Sequence, residues 1–312
     1  MEEPAPRRKD RLDAAAIAVV TLLCAIWGVN QVAIKVSANG GLPPLLQGAL
    51  RGTVGTALVW LFVLWRHGRV QARALFQRDD ATLPGLFVGL MFGVEFAALY
   101  PGLDLTTASR GVIFLYTSPF FTALGVHVLL PNERLGVRQC LGLLVAFSGV
   151  AITIADRSAS GSGGGRLSGD LLCLAAGFLW GATTVVVKAN PSLLRAPPTR
   201  LLFFQLAGSA PVMLAASLLV GERADWGGVT ALAWASLLYQ TVPVAFASYL
   251  TWLWLVLTYP AGRLAGFTFL TPLFGMLAGV ALLGEHATVA LLAGLAGIAI
   301  GLPLLNSKGR TR

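Results

Sequence analysis

Charge is what this sequence has least of. Asp, Glu, Lys and Arg make up 12% of its 312 residues, while 56% are apolar. A soluble domain of this size carries about 25% charged residues, so the polar surface that would face water is missing and a water-soluble globular fold is excluded. The three cysteines, Cys24, Cys140 and Cys173, sit inside apolar runs without CxxC spacing. They read as small buried hydrophobes, not as a disulfide scaffold or zinc ligands. Three histidines, no HExxH and no two carboxylates in one apolar run argue against an intramembrane enzyme, and no metal or other cofactor is expected. His127 reads as a packed side chain. A Gly-rich phosphate loop of the Walker type is absent, so the chain carries no ATPase of its own. The net charge of +9 comes from basic residues in short clusters between apolar runs. That is the pattern of membrane topology signals and headgroup contacts rather than of nucleic-acid binding.

What the chain has instead is apolar runs of membrane-spanning length, about 20 residues each. Ten are expected, at roughly 14–36, 44–65, 83–103, 108–130, 137–155, 169–188, 200–220, 230–253, 261–284 and 287–306. The third should break near Pro101, and the eighth and ninth are separated only around Thr258-Tyr259-Pro260. Arg7, Arg8, Lys9 and Arg11 precede the first run as in a signal peptide, but that run is too long for one and is kept as a mature helix. With the N-terminus inside, seventeen of the 23 Lys/Arg fall in or near cytoplasmic segments and six on the other side. The reverse placement violates the positive-inside bias. A multi-pass protein of the plasma (inner) membrane with both termini cytoplasmic is expected.

Landmarks recur at a fixed spacing. Trp27-Gly28 and Lys35 return as Trp180-Gly181 and Lys188, an offset of 153 that also carries Arg110 to Arg263 and Ser118-Pro119 to Thr271-Pro272; Glu133 returns as Glu285 at 152. Each copy holds five spans, an odd number, so the second must insert upside down relative to the first. Such inverted duplications are the architecture of secondary transporters. The chain therefore divides into a basic N-terminus (1–13), a first repeat (14–156), a Gly/Ser-rich linker (157–168), a second repeat (169–306) and a basic tail (307–312). The linker reads as a flexible tether.

The stretch from Arg110 through Tyr116 to Ser118-Pro119, leading into Pro131-Asn132-Glu133-Arg134-Leu135, and its second-half match Thr271-Pro272 with Gly284-Glu285, resemble the drug/metabolite transporter superfamily. The likeness is to the ten-helix EamA-type exporters in particular, over about 14–306. The resemblance implies an all-α polytopic fold of two inverted five-helix repeats around a central cavity, alternating access, and small-molecule cargo. The second copy departs in places: Arg134-Leu135 becomes His286-Ala287, and Arg51 meets only Phe204 or Gln205.

Glu95 lies well inside the third span, where an ionisable side chain faces a cavity or a partner. Gly85, Gly89 and Gly93 form one close-packing face of that helix, and Glu95 points away from it. Its roles are to hold a substrate ammonium, to couple transport to protons, or to bond a neighbouring Tyr, Gln or Arg. Trp27, Asn30, Gln31 and Ile34 share a helical face, matched by Trp180, Thr183, Thr184 and Val187. These suit a site that stacks on an apolar substrate and bonds its polar end, or else interhelical packing. Pro119 and Pro272 should kink the fourth and ninth spans as gates or for packing, letting Tyr116, Thr117 and Ser118 line the cavity. Gln240 is a further buried amide. Lys35, Lys188, Arg51, Arg110 and Arg263 lie towards span ends and should snorkel to headgroups or set topology. For Arg51, the deepest at about 10 Å into its helix, the alternative is to pair with Glu95 or bind a substrate carboxylate. Glu133 and Glu285 read as helix-boundary residues.

The leading expectation is a secondary transporter, outward-directed, of amino acids or amphipathic amines. Its partners are lipid, a small-molecule substrate and protons as coupling ion, with no nucleic acid; a monomer is expected, with an oligomer as the alternative. A non-transporting sensor or assembly subunit, and a carrier of anionic metabolites, are the rival readings.

Overall fold

The computed structural model describes residues 13–129, 136–156, 167–259, 267–268 and 270–305. Glu133, Arg134 and Arg263, most of the linker and both tails lie outside the described residues. Among those described there are helices and no strands. The helices are α1 (Ala14–Asn39), α2 (Pro44–Ala74), α3 (Thr82–Leu105), α4 (Ala108–Leu115), α5 (Ser118–Leu129), α6 (Val137–Ala155) and α7 (Leu167–Ala189). The short α8 (Pro191–Arg195), α9 (Pro198–Val220) and α10 (Ala231–Tyr239) follow; then come a π-helical segment (Gln240–Ser248), α11 (Tyr249–Thr258), α12 (Leu270–Leu283) and α13 (Val289–Leu305). Among the described residues, eight helical stretches are long and apolar enough to cross a membrane, and two shorter apolar helices lie within α12 and α13. Large apolar side chains such as Leu61, Trp65, Leu86, Phe87, Leu218 and Leu219 are exposed, as expected of helices that face lipid.

The helices start where the sequence supplies caps. Asp13 accepts from the Ala16 N–H at 2.9 Å, Thr107 and Thr230 do the same for α4 and α10, and Pro44 and Pro198 open α2 and α9. Several boundaries differ from expectation. Pro101 does not break the third span, since α3 runs on to Leu105; neighbouring groups in a membrane bundle meet the freed carbonyl. The second span extends to Ala74 and turns at Gly68, whose φ of 84° suits glycine. The eighth reaches Thr258 because the chain absorbs Pro243 by widening into a π-helix.

Packing ties the two copies together. α3 packs on α7 and α9, α2 on α9, α6 on α13, α1 on α12, and α5 on α7. Two of these contacts match residue for residue under the offset of 153. A Cβ on Gly28 would lie 2.6 Å from the Gly275 nitrogen and 2.8 Å from Phe274 Cβ; one on Gly181 would lie 3.0 Å from the Thr122 nitrogen and 2.7 Å from Phe121 Cβ. The glycine of each Trp-Gly pair thus admits the same close approach. The glycine face of α3 packs as expected, with Gly89 against Phe204 and Gly208 and Gly93 against Val212 of α9.

Polar contacts fasten both ends of the bundle. Where α1 finishes, Lys35 donates to the Leu103 and Thr106 carbonyls, 2.6 Å each. Arg110 donates twice to Asp170, at 3.0 and 2.5 Å, and the Thr106 hydroxyl adds a third bond of 2.6 Å. Glu285 accepts from the Ala108 and Ser109 N–H groups at 2.6 and 2.9 Å, capping α4. Lys35 and Arg110 therefore do not snorkel, because helix ends meeting there offer them carbonyls and a buried carboxylate. At the opposite end, the Tyr259 hydroxyl donates to Asp13 at 3.0 Å. There Arg200 also binds Asp79, whose exposed carboxyl sits below its ordinary range chiefly through those hydrogen bonds.

Candidate functional site

Inside the bundle α1, α2, α3 and the π-helical stretch bring polar side chains together. Arg51, one turn and more into α2, donates from Nη1 to the Tyr100 hydroxyl at 3.4 Å and from Nη2 to the Tyr249 hydroxyl at 3.5 Å. Its guanidinium lies 4.4 Å from the centre of the Phe96 ring. The Tyr100 hydroxyl donates to Gln240 Oε1 at 2.9 Å; Gln240 Nε2 donates to Gln47 Oε1 at 3.1 Å and the Ala33 carbonyl at 3.4 Å; Gln47 Nε2 reaches the Ile34 carbonyl at 3.3 Å. Gln240 is fully buried with both ends of its amide engaged, so here it braces this chain of bonds.

Glu95 is 3% exposed, and its Oε2 has no hydrogen-bond partner. Arg51 acts on it electrostatically, yet the two form no ion pair within 4.0 Å. On α1, Asn30 and Gln31 are buried with their amide oxygens unpartnered. Trp27, on the same face, donates from Nε1 to Ser248 Oγ at 2.8 Å and stands edge-on to Trp252 and Tyr249, ring centres 5.4 and 6.5 Å apart. The offset of 153 carries Glu95 to Ser248, so the counterpart of the Trp27–Ser248 pair is Trp180 and Glu95. There no such bond forms, and Trp180 instead stands edge-on to Tyr116 at 5.4 Å.

Other expected site residues are occupied elsewhere. The Thr117 hydroxyl is buried and donates to the Phe114 carbonyl at 2.6 Å, closing the break between α4 and α5. Thr184 donates to the Trp180 carbonyl one turn back at 3.0 Å. Pro119 is the second residue of α5 and Pro272 the third of α12, so each sits in a first turn, where proline is tolerated, rather than mid-helix. The fourth span is interrupted at Tyr116-Thr117, and the Leu115 carbonyl that Pro119 cannot bond lies against Gly177, 3.0 Å from where a Cβ would stand.

Beside Arg51 is a small cavity of about 10 Å³, lined by Arg51, Gly52, Phe92, Phe96, Ser209 and Met213 among others. It has room for about one water. Tyr100, Tyr249 and Gln47 were not singled out by sequence reasoning. The one signal for Tyr249 is its place beside Ser248, which the offset aligns with Glu95.

A polytopic helical bundle, duplicated and with an incompletely satisfied polar centre, defines a class of membrane protein. The EamA-like transporter family matches residues 14–155 and again 167–307, and the chain belongs to that family. It is 28% identical over 299 residues to the "Uncharacterized transporter YvbV" of Bacillus subtilis, covering 94% of this chain and 92% of that protein. It is 29% identical over 291 residues to a "Probable amino-acid metabolite efflux pump" of Salmonella typhimurium, covering 90% and 91%. The Escherichia coli protein of the same description is 28% identical over 288 residues, covering 90% and 89%. A crystal structure matches with a TM-score of 0.65 at 22% identity, over 93% of this chain and 97% of the other, which shows a shared fold.

Proposed function

We propose that this transporter is a secondary carrier that exports small organic metabolites, amino acids or amphipathic amines, by alternating access between two inverted five-helix halves of the inner membrane. Both termini are cytoplasmic in this reading. The observation that carries it is Glu95: a carboxylate in the middle of a spanning helix, buried, with an oxygen left without a partner. A buried charge without a partner is costly, and a cargo ammonium or a proton supplies what is missing. Trp27 and the amides of Asn30 and Gln31 stand on the neighbouring helix to receive the rest of the cargo. The descriptions of two relatives, each a "Probable amino-acid metabolite efflux pump", favour the same cargo class.

Counterflow of a labelled panel of amino acids and amines into proteoliposomes tests this reading, with wild type and Glu95→Gln side by side and with or without an imposed proton gradient. Saturable wild-type counterflow is expected, together with loss of gradient-driven uptake in the variant. A wild type that moves nothing on the panel overturns the cargo class.

A further inference from the structure

Arg51 is a buried cation without a counter-ion. It is 3% exposed, keeps its charge in any protein environment, and carries five N–H donors. Two of these reach neutral phenol oxygens at 3.4 and 3.5 Å, the long limit of a hydrogen bond, and Nε reaches nothing. The guanidinium lies 4.4 Å from the centre of the Phe96 ring and bonds Tyr100, both on α3, where Glu95 is the residue before Phe96.

A purely structural pair would close. The same protein shows what closure looks like: Arg110 and Asp170, equally buried, meet through two hydrogen bonds at 3.0 and 2.5 Å. Arg51 and Glu95 are held apart, the acid on α3 and the base on α2, each keeping an unused polar atom. The cavity beside Arg51 admits about one water-sized atom, which is also the size of one carboxylate oxygen. The chemistry left open is thus one cation that wants an anion and one buried carboxyl group with an oxygen to offer, with the further free acceptors Asn30 Oδ1 and Gln31 Oε1 on α1.

We propose that Arg51 anchors a cargo carboxylate while Glu95 takes the cargo ammonium, so that the substrate class is the zwitterion carrying both, an amino acid with a free carboxylate, and not the amine alone. The proposal rests on the transport reading above. It adds to that reading the requirement for a carboxylate and the residue that imposes it.

The experiment compares substrates before it compares variants. Alanine, leucine and phenylalanine are each assayed in proteoliposome counterflow beside their amides and their decarboxylated amines. Wild type is expected to exchange at least one of the acids and to discriminate against its amide and amine by on the order of 30-fold or more, the lower end of what losing one partner of a buried charge pair costs. Arg51→Gln should lose that discrimination by losing the acid, while Arg51→Lys, which keeps the charge, retains part of it. Binding of the same ligands to detergent-purified variants, after gel filtration confirms that they are folded, separates a lost anchor from a damaged protein. Equal wild-type exchange of acid, amide and amine overturns the proposal and leaves the transport reading standing. Exchange of none of the nine compounds overturns the proposal together with the cargo class on which it rests.

Discussion

Gly28 and Gly181 do the same work at corresponding places, and each can be tested alone. The Cβ of an alanine at Gly28 would stand 2.6 Å from a backbone nitrogen, and at Gly181 2.9 Å from the Ser118 carbonyl oxygen; neither neighbour can move aside by changing rotamer. Gly28→Ala and Gly181→Ala should each lower stability by about 1–3 kcal/mol, read as a lower thermal unfolding temperature in detergent. Gly55→Ala, whose Cβ would meet only the flexible Leu206 side chain at 3.2 Å, should unfold near wild type. Equal effects at all three positions would contradict the shared packing role. These glycines were legible because tryptophan beside glycine is rare enough to show the repeat, and Glu95 because a lone carboxylate stands out in an apolar run. Tyr100 and Tyr249 were not: their meeting at Arg51 joins three helices, and no local pattern marks a hydroxyl that finds its partner 140 residues away, as Tyr100 finds Gln240.

At the scale of the element, the Arg110–Asp170 ion pair between α4 and α7 helps to hold the end of the bundle where α1 finishes. Arg110→Gln leaves Asp170 buried without its cation, a loss of about 3–5 kcal/mol. Arg110→Met with Asp170→Leu should recover most of it, because the pair is then replaced by packing side chains. A double variant as unstable as the single one in thermal unfolding would show that the contact does more than balance charge. Hydropathy located the apolar helices but misplaced their interruptions. It registers where side chains meet lipid, whereas breaks depend on backbone bonding: Pro101 sits within an unbroken α3, Pro243 is absorbed by a π-helix, and the fourth span breaks before Pro119. The latch roles of Lys35 and Arg110 were equally hidden, since a basic residue near a span end looks alike whether its partner is a headgroup or another helix.

For the whole molecule, duplication is the organising fact. The family match falls twice on the chain, and the Trp-Gly contacts repeat under a single offset. The duplication was therefore readable in the sequence, while the tight polar centre was not, because cavity size depends on how helices from both halves close. The central claim is that this centre opens to each side of the membrane in turn. Asn30, buried on α1 with an unpartnered oxygen, is the place to test it. In a background with Cys24→Ala, Cys140→Ala and Cys173→Ala, the Asn30→Cys side chain is exposed to a membrane-impermeant maleimide applied from one face or the other of oriented vesicles. The account predicts labelling from both faces, slowed by an amino acid that the protein exchanges; labelling from one face alone, unchanged by any cargo, would contradict it.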